Sequence, residues 1–82
     1  MDYVLLTDTI VKMIVKDTEA VSVKEYESNE DNLVHLEILV SKEDLGRIIG
    51  KGGQTIKSIR NIIWANAAIN GNQKIKIDVD AY

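Results

Sequence analysis

The 82-residue chain contains no cysteine and only one histidine. Without cysteine it cannot form a disulfide, use a thiol nucleophile or bind zinc at a cysteine-rich site. One imidazole and scattered carboxylates are a poor supply of metal ligands, so we expect no metal and no other cofactor. The sequence also offers no convincing Ser-His-acid grouping and no paired carboxylates in a predicted cleft, and we therefore expect that the protein is not an enzyme.

Long apolar runs are lacking as well. No stretch approaches the roughly 20 apolar residues that a membrane-spanning helix needs, and the N-terminus lacks the basic and apolar segments of a secretory signal. We therefore expect a cytoplasmic protein. The chain is 45% hydrophobic, which is enough for one compact core and leaves no room for a second, so residues 1–82 are predicted to form a single domain.

The formal net charge is −3, so the chain has little positive charge overall. Nucleic-acid binding usually requires a basic surface. The distribution of charge changes this interpretation. Residues 1–41 carry three lysines and nine acids, residues 42–60 carry five basic residues and two acids, and residues 61–82 are balanced. A phosphate-binding site is therefore predicted only in the central segment.

Hydrophobic periodicity predicts six elements in the order helix, strand, strand, helix, helix, strand. The first helix covers residues 3–16 and ends near Asp17, a short helix follows an N-cap at Ser41, and a longer helix begins near Gln54. The predicted strands cover residues 20–26, 33–40 and 74–80. Such a chain belongs to the α+β class, in which helices cover one face of a three-stranded sheet.

The same periodicity predicts which side chains form the core. In the second strand the core set is Val34, Leu36, Ile38 and Val40, and the alternate set, which includes His35, is predicted to be largely solvated. In the long helix the core set is Ile56, Ile59, Ile63 and Ala67, with Ile62 and Ile69 widening the apolar stripe. His35 is interpreted as an ordinary surface histidine.

Three glycines lie among the four residues Gly50-Lys51-Gly52-Gly53, between two predicted helices. Glycine permits positive φ and lets another backbone approach without a Cβ clash. The start of the second helix presents N–H groups and partial positive charge, and Lys51 adds a full charge, so this loop is suited to bind a phosphate. A tight turn between helices would use the same residues, and glycines alone do not separate the two interpretations.

Two other glycine motifs fail on spacing. A Walker loop needs a second glycine five residues after the first, but Lys51 stands at that position after Gly46. A dinucleotide-binding fingerprint that starts at Gly50 needs glycine at position 55, where the chain has Thr55, and a strand in front instead of a helix. Neither motif therefore supports a nucleotide-dependent enzyme. Gly46, within the short helix, is interpreted as a site of close packing.

Residues 45–60, which read LGRIIGKGGQTIKSIR, resemble the KH domain, whose hallmark is a G-x-x-G loop between two helices. The element order around this segment is similar to the type II, bacterial arrangement over essentially the whole chain. The resemblance is to the small stand-alone bacterial KH proteins of the KhpA (YlqC-like) family. It implies a type II KH fold of order α-β-β-α-α-β, with three helices packed on one face of a three-stranded mixed sheet.

The resemblance also implies a function and partners. Members of this family bind single-stranded RNA with little sequence preference, act as RNA chaperones or in post-transcriptional regulation linked to cell growth and division, and pair with themselves or with a larger KH-containing protein. A KH groove holds about four nucleotides. Two departures from the family pattern predict weak binding: Gln54 stands where relatives often carry arginine, and Gly52 stands where a larger residue is usual.

The predicted RNA-binding residues combine loop backbone, nearby charge and an apolar floor. They are Arg47, Ile48, Ile49, Gly50, Lys51, Gly52, Gly53, Gln54, Lys57 and Arg60. The N–H groups of Lys51, Gly52 and Gly53 are expected to meet phosphates, and Ile49, with part of Ile48 or Ile56, is expected to lie under the bases. Arg47, Lys57 and Arg60 have a simpler interpretation as solvated helix charges.

Trp64 lies off the apolar stripe of the long helix, and with Ile62 it is predicted to form a protein interface. Three roles stay open for Trp64, namely a dimer contact, the edge of the core, or base stacking. The alternative to an RNA-binding module is therefore a protein-interaction adaptor that uses the KH fold and this helix face to form homodimers or heterodimers and binds little RNA.

Overall fold

Alternating apolar residues build a three-stranded sheet in the computed structural model, which describes residues 2–28 and 30–82. Strand β1 (Ser22–Tyr26) pairs antiparallel with β2 (Leu33–Val40), and β2 pairs in parallel with β3 (Lys74–Ala81). The strand order is β1-β2-β3, so the sheet is mixed and β2 lies at its centre. β-branched residues dominate the inward positions of β2 and β3, as a pleated, half-buried surface favours.

Three helices cover one face of this sheet. They are α1 (Tyr3–Lys12), α2 (Lys42–Ile49) and α3 (Gln54–Ile69), with short 3₁₀ turns at Thr18–Ala20 and Lys51–Gly53. The predicted element order and the type II KH architecture are therefore confirmed. The core sets predicted for β2 and α3 are also confirmed, because Leu36, Ile38 and Ile63 are completely buried between the sheet and the helices.

The first helix is shorter than its apolar pattern predicts, since it ends at Lys12 and not near Asp17. Met13, the residue that follows the helix, is 81% exposed. The physical reason lies in another element. The backbone N–H groups of Lys16 and Asp17 donate to the Asp44 carboxylate at 3.0 Å each, where a longer helix would pair them with its own carbonyls.

Two further burial predictions are corrected. Ile62 and Ile69 do not widen the buried stripe of α3, because they lie beside it and are 47% and 82% exposed. On the open face of the sheet, the predicted solvated set of β2 is half-buried. Tyr26 covers part of this face, and its hydroxyl donates to Glu37 at 2.9 Å, which raises the pKa of Tyr26. His35 lies 2.8 Å from a carboxylate oxygen of Asp78.

Asp44 joins α1 to α2 and is the one charged residue found buried among residues 2–28 and 30–82. Besides the two N–H groups that follow α1, its carboxylate accepts hydrogen bonds from Ser41 Oγ at 3.1 Å and from Arg47 Nη1 at 2.9 Å. The N–H of Lys16, the N–H of Asp17 and then the two side chains lower the pKa of Asp44 to about 2, against the opposing effect of burial. The charged carboxylate therefore satisfies donors from two separate parts of the chain.

Replacing Asp44 by asparagine is expected to lower the melting temperature at neutral pH, because an amide cannot accept all of these hydrogen bonds. The pKa of Asp44 is lowered in the folded state, so its contribution to stability is complete above its ordinary value of 3.8 and is lost as the pH falls towards about 2. The difference in melting temperature between the native chain and Asp44→Asn should therefore shrink between pH 6 and pH 2.

Thermal unfolding followed by circular dichroism measures this difference. Glu43→Gln is the matched control, because Glu43 lies in the same first turn of α2 but is exposed. An effect of Glu43→Gln as large as that of Asp44→Asn would show that the charge of the first turn, and not the buried contacts, stabilises the fold.

Candidate nucleic-acid interface

The glycine loop begins where α2 ends, at Gly50. Ser41 opens α2 as its N-cap, since Ser41 Oγ accepts from the N–H of Asp44, and the helix closes when the N–H of Gly50 donates to the carbonyl of Gly46 at 2.8 Å. Gly50 then takes φ 75° and ψ 172°, a conformation that other residues rarely adopt. Only eight residues separate the N-cap from the loop, so α2 places the loop at a short, fixed distance from the end of β2.

Gly50 is held against the first turn of α3. A Cβ atom on Gly50 would lie 2.2 Å from Thr55 Oγ1 and 2.8 Å from the backbone nitrogen of Thr55, which no side chain could tolerate. Gly52 and Gly53 also have positive φ, 64° and 77°, but a Cβ on either would meet no atom within 4 Å. Sterics therefore require glycine at position 50, whereas positions 52 and 53 need it only for backbone conformation.

Two backbone N–H groups of the loop are available to a ligand. The N–H of Gly53 donates to the carbonyl of Gly50 at 3.1 Å, and the N–H of Gln54 donates to the carbonyl of Lys51. The N–H of Gly53, which the sequence predicted to meet a phosphate, is thus already used within the loop. Within the described part of the chain, the N–H groups of Lys51 and Gly52 have no such partner, and they lie at the N-terminal end of α3.

Three of the predicted polar residues present their side chains freely beside these donors. Lys51, Gln54 and Lys57 are all exposed. Arg47 is more restrained, since its Nη1 donates to Asp44 at 2.9 Å and to the carbonyl of Glu43 at 3.4 Å, and its side chain is 43% exposed. Arg47 neutralises the buried carboxylate first, and only the rest of its guanidinium faces solvent.

One isoleucine of α2 supplies the apolar surface beside the loop. Ile49 is 37% exposed, whereas Ile48 is completely buried and Ile56 is 7% exposed. The predicted contact of Ile48 or Ile56 with RNA bases is corrected accordingly, because both side chains belong to the hydrophobic core. Gly46 is corrected too, because a Cβ there would meet no atom within 4 Å and close packing does not explain this glycine.

The two flanks of α3 point to different surroundings, because about 100° of rotation separates successive residues of a helix. Arg60 Nε and Nη2 donate to the carbonyl of Ile77 in β3 at 3.2 and 2.9 Å, and Trp64 Nε1 donates to the carbonyl of Ile75 at 2.7 Å. Ile62 lies on the other flank. The predicted joint interface of Ile62 and Trp64 is therefore corrected, since the buried stripe of α3 separates these side chains.

No signal in the sequence identifies the role of Asp44 or that of the edge of β3. An acid in the first turn of a helix is a common capping signal, and nothing local shows that this one is buried. Side chains of α3 meet the edge of β3, and this alignment depends on the tertiary structure. Within residues 2–28 and 30–82, no helix is long and apolar enough to cross a membrane, and no three potential metal ligands converge.

Comparison with known families identifies the chain over nearly its whole length. Residues 5–80 match the family described as KhpA/KhpB, KH domain. The chain is similar to the RNA-binding protein KhpA of Clostridium perfringens, with 39% identity over 90% of this chain and 95% of that protein. It is also similar to the RNA-binding protein KhpA of Thermotoga maritima, with 39% identity over 90% of this chain and 93% of that protein.

The fold also matches part of a larger solved protein. The chain superposes on Era, in a crystal structure with MgGDPNP and nucleotides 1506–1542 of 16S ribosomal RNA, with a TM-score of 0.74. The identity is 20%, and the match covers 98% of this chain but only 30% of the Era chain. This likeness supports the fold.

The steric requirement at Gly50 predicts different costs for alanine at two positions of the loop. Gly52→Ala should destabilise the fold by about 1 kcal/mol, which is the cost of positive φ for a side chain. Gly50→Ala should cost a further 1–3 kcal/mol, roughly, because the new methyl group overlaps Thr55. Urea unfolding measures both values, and equal costs would contradict the contact between Gly50 and Thr55.

Proposed function

Since the chain belongs to the KhpA/KhpB family of KH domains, we propose that its glycine loop binds the backbone of single-stranded RNA. The observation that carries this proposal is that the N–H groups of Lys51 and Gly52, at the start of α3, have no hydrogen-bond partner among residues 2–28 and 30–82. Backbone donors at a helix N-terminus bind anions well, because the helix dipole adds partial positive charge. A phosphate diester of RNA is an anion of the right size for two adjacent donors.

Charge near the loop supports the same ligand. Lys51 and Lys57 are exposed beside the donors, and Arg47 and Gln54 add polar groups within the same surface. Asp44, which would oppose a phosphate, is buried and paired with Arg47. The remaining surface of the chain is acidic, so the attraction is local, and we propose binding that is weak and sensitive to salt.

Bases would lie between Ile49 and the edge of β3. The open face of Ile49 provides an apolar contact, and no aromatic side chain occurs in α2 or in the loop, so base stacking on protein contributes little. Backbone contacts position a strand but carry no sequence information. We propose that the site holds about four nucleotides with low sequence specificity, as KH domains do.

A module of this kind suits an RNA chaperone or a post-transcriptional regulator in the cytoplasm. We propose that this role is linked to cell growth and division. Weak single sites gain affinity when two are joined, because the second binding event becomes intramolecular. Self-association, or association with a larger KH-containing partner, would therefore strengthen RNA binding.

A second candidate function is a protein-interaction adaptor. The specific observation is the pair Ile62 and Ile69, which lie two turns apart on the flank of α3 away from β3 and are 47% and 82% exposed. Large exposed isoleucines on one flank of a helix are typical of a protein interface. This flank is separate from the glycine loop, so the two functions are compatible in one chain.

RNA binding by the loop is tested by fluorescence anisotropy with a labelled single-stranded hexanucleotide at several salt concentrations. The native chain should bind, with log K falling by about 0.7 per tenfold rise in salt for each phosphate contacted. The double substitution Lys51→Asp and Gly52→Asp should weaken binding tenfold or more, about 1.4 kcal/mol.

The control for this experiment is the double substitution Lys24→Asp and Gly71→Asp. It changes the net charge by the same amount, and Gly71, like Gly52, has positive φ and open space around a Cβ. If both double variants lose the same affinity, general charge binds the RNA and the loop does not. If the native chain binds no RNA at low salt, the RNA-binding function is wrong for the isolated chain and the adaptor function is favoured.

Self-association through the Ile62 flank is tested by sedimentation equilibrium. The native chain is expected to form dimers, and Ile62→Glu with Ile69→Glu is expected to sediment as a monomer, because two buried charges would be left unpaired in the interface. Asn61→Glu with Ala68→Glu is the matched control, because both residues are exposed on the same helix and lie about 100° around its axis from the isoleucine flank. Dimers that survive the isoleucine substitutions would place the interface elsewhere.

A further inference from the structure

Among residues 2–28 and 30–82, no strand pairs with the outer edge of β3, since the strand order is β1-β2-β3. The N–H of Lys74 donates to the carbonyl of Asn32, just before β2, at 2.9 Å, and the N–H of Tyr82 donates to that of Val40 at 3.1 Å, so both point towards β2. Backbone groups alternate in direction along a strand, so those of the odd-numbered residues between them point the other way. The outward set is Ile75, Ile77, Val79 and Ala81.

Part of this edge is closed by side chains of α3. The carbonyl of Ile77 accepts two hydrogen bonds from the Arg60 guanidinium, and the carbonyl of Ile75 accepts one from the Trp64 indole. Both donors come from the same flank of α3, one helical turn apart. The side chains that supply them lie along the edge and obstruct any other group that approaches those two carbonyls.

The rest of the edge, at Val79 and Ala81, is the part near the glycine loop, and there the N–H of Ala81 donates to Asp80 Oδ1 at 2.8 Å. No hydrogen bond is made to the outward N–H or carbonyl of Val79 by any residue in 2–28 or 30–82. Trp64 bonds to Ile75 and Arg60 bonds to Ile77, so α3 runs antiparallel to β3. The helical turn before Arg60 therefore lies beside Val79. An approaching strand therefore finds free backbone groups beside the start of α3 and capped ones beyond.

We propose that Arg60 and Trp64 are positioning residues that close the RNA groove at Ile77. An unpaired strand edge offers a continuous row of donors and acceptors, and without these caps it would bind nucleotides or another strand along its whole length. With the caps in place, bases that leave the glycine loop contact β3 at Val79 and Ala81 but not at Ile77 or Ile75. The groove is thereby limited to a short segment of RNA, and this inference rests on the function proposed above.

The inference gives Arg60 a role different from phosphate binding. Its Nε and Nη2 already point at the carbonyl of Ile77, on the side of α3 that faces β3. Lysine at this position keeps the positive charge that attracts a phosphate, but it lacks the planar fork that makes two hydrogen bonds to the carbonyl of Ile77. The two roles therefore predict different results for a conservative substitution.

The test follows backbone amide chemical shifts by NMR during titration with oligouridine of eight nucleotides. In the native chain the amides of Lys51, Gly52 and Val79 should shift and that of Ile75 should not. In Arg60→Met with Trp64→Phe, which removes the donors and keeps apolar volume, the amides of Ile75 and Ile77 should shift as well. Arg60→Lys alone should already allow the shift at Ile77.

The outcomes separate this inference from the proposed function. If neither chain shows shifts at Lys51 and Gly52, the RNA-binding function fails. If those amides shift but the pattern along β3 is the same in the native chain and the double variant, the loop binds RNA and the caps do not limit the groove. The amide of Leu36, in the centre of the core, should keep its position in every variant, and if the double variant does not fold, Arg60→Lys decides the question.

Discussion

The parallel pairing of β2 with β3 is the constraint on which the rest of this structure depends. Two parallel strands cannot be joined by a tight turn, so the chain between Val40 and Lys74 must cross over the sheet. Here the crossover consists of α2 and α3, and the glycine loop is the point at which it turns. The loop must therefore lie near the end of β2 and beside the free edge of β3. The crossover connection between β2 and β3 therefore creates the site for an extended ligand.

Two specific contacts then hold the crossover in position. The buried Asp44 carboxylate connects the first turn of α2 to the chain leaving α1, and its hydrogen bonds to Lys16 and Asp17 also end the first helix early. Gly50 fits against Thr55 without room for a side chain, which sets the angle between α2 and α3. Neither contact touches the proposed RNA. Both determine where the N–H groups of Lys51 and Gly52 point.

The division of α3 into two flanks explains how so small a chain can carry more than one function. Its central stripe packs on the sheet, one flank donates to the carbonyls of β3 through Arg60 and Trp64, and the other presents Ile62 and Ile69 to solvent. RNA and a protein partner would then approach different sides of one helix. The acidic remainder of the chain keeps positive potential confined to the loop, which favours weak binding by one module and stronger binding by a pair.

The sequence by itself determined the order of the elements, the inward faces of β2 and α3, and the glycine loop, because period-two and helical spacing and a cluster of glycines are local signals. It also placed Lys51, Gly52, Gln54 and Lys57 at the exposed surface beside the loop. Only the tertiary structure decided that Ile48 is buried while Ile49 is exposed, that the N–H of Gly53 is already used, and that Arg60 and Trp64 donate to the carbonyls of β3. Those outcomes depend on which segments, distant in sequence, supply hydrogen-bond partners and fill space, and no local pattern of residues carries that information.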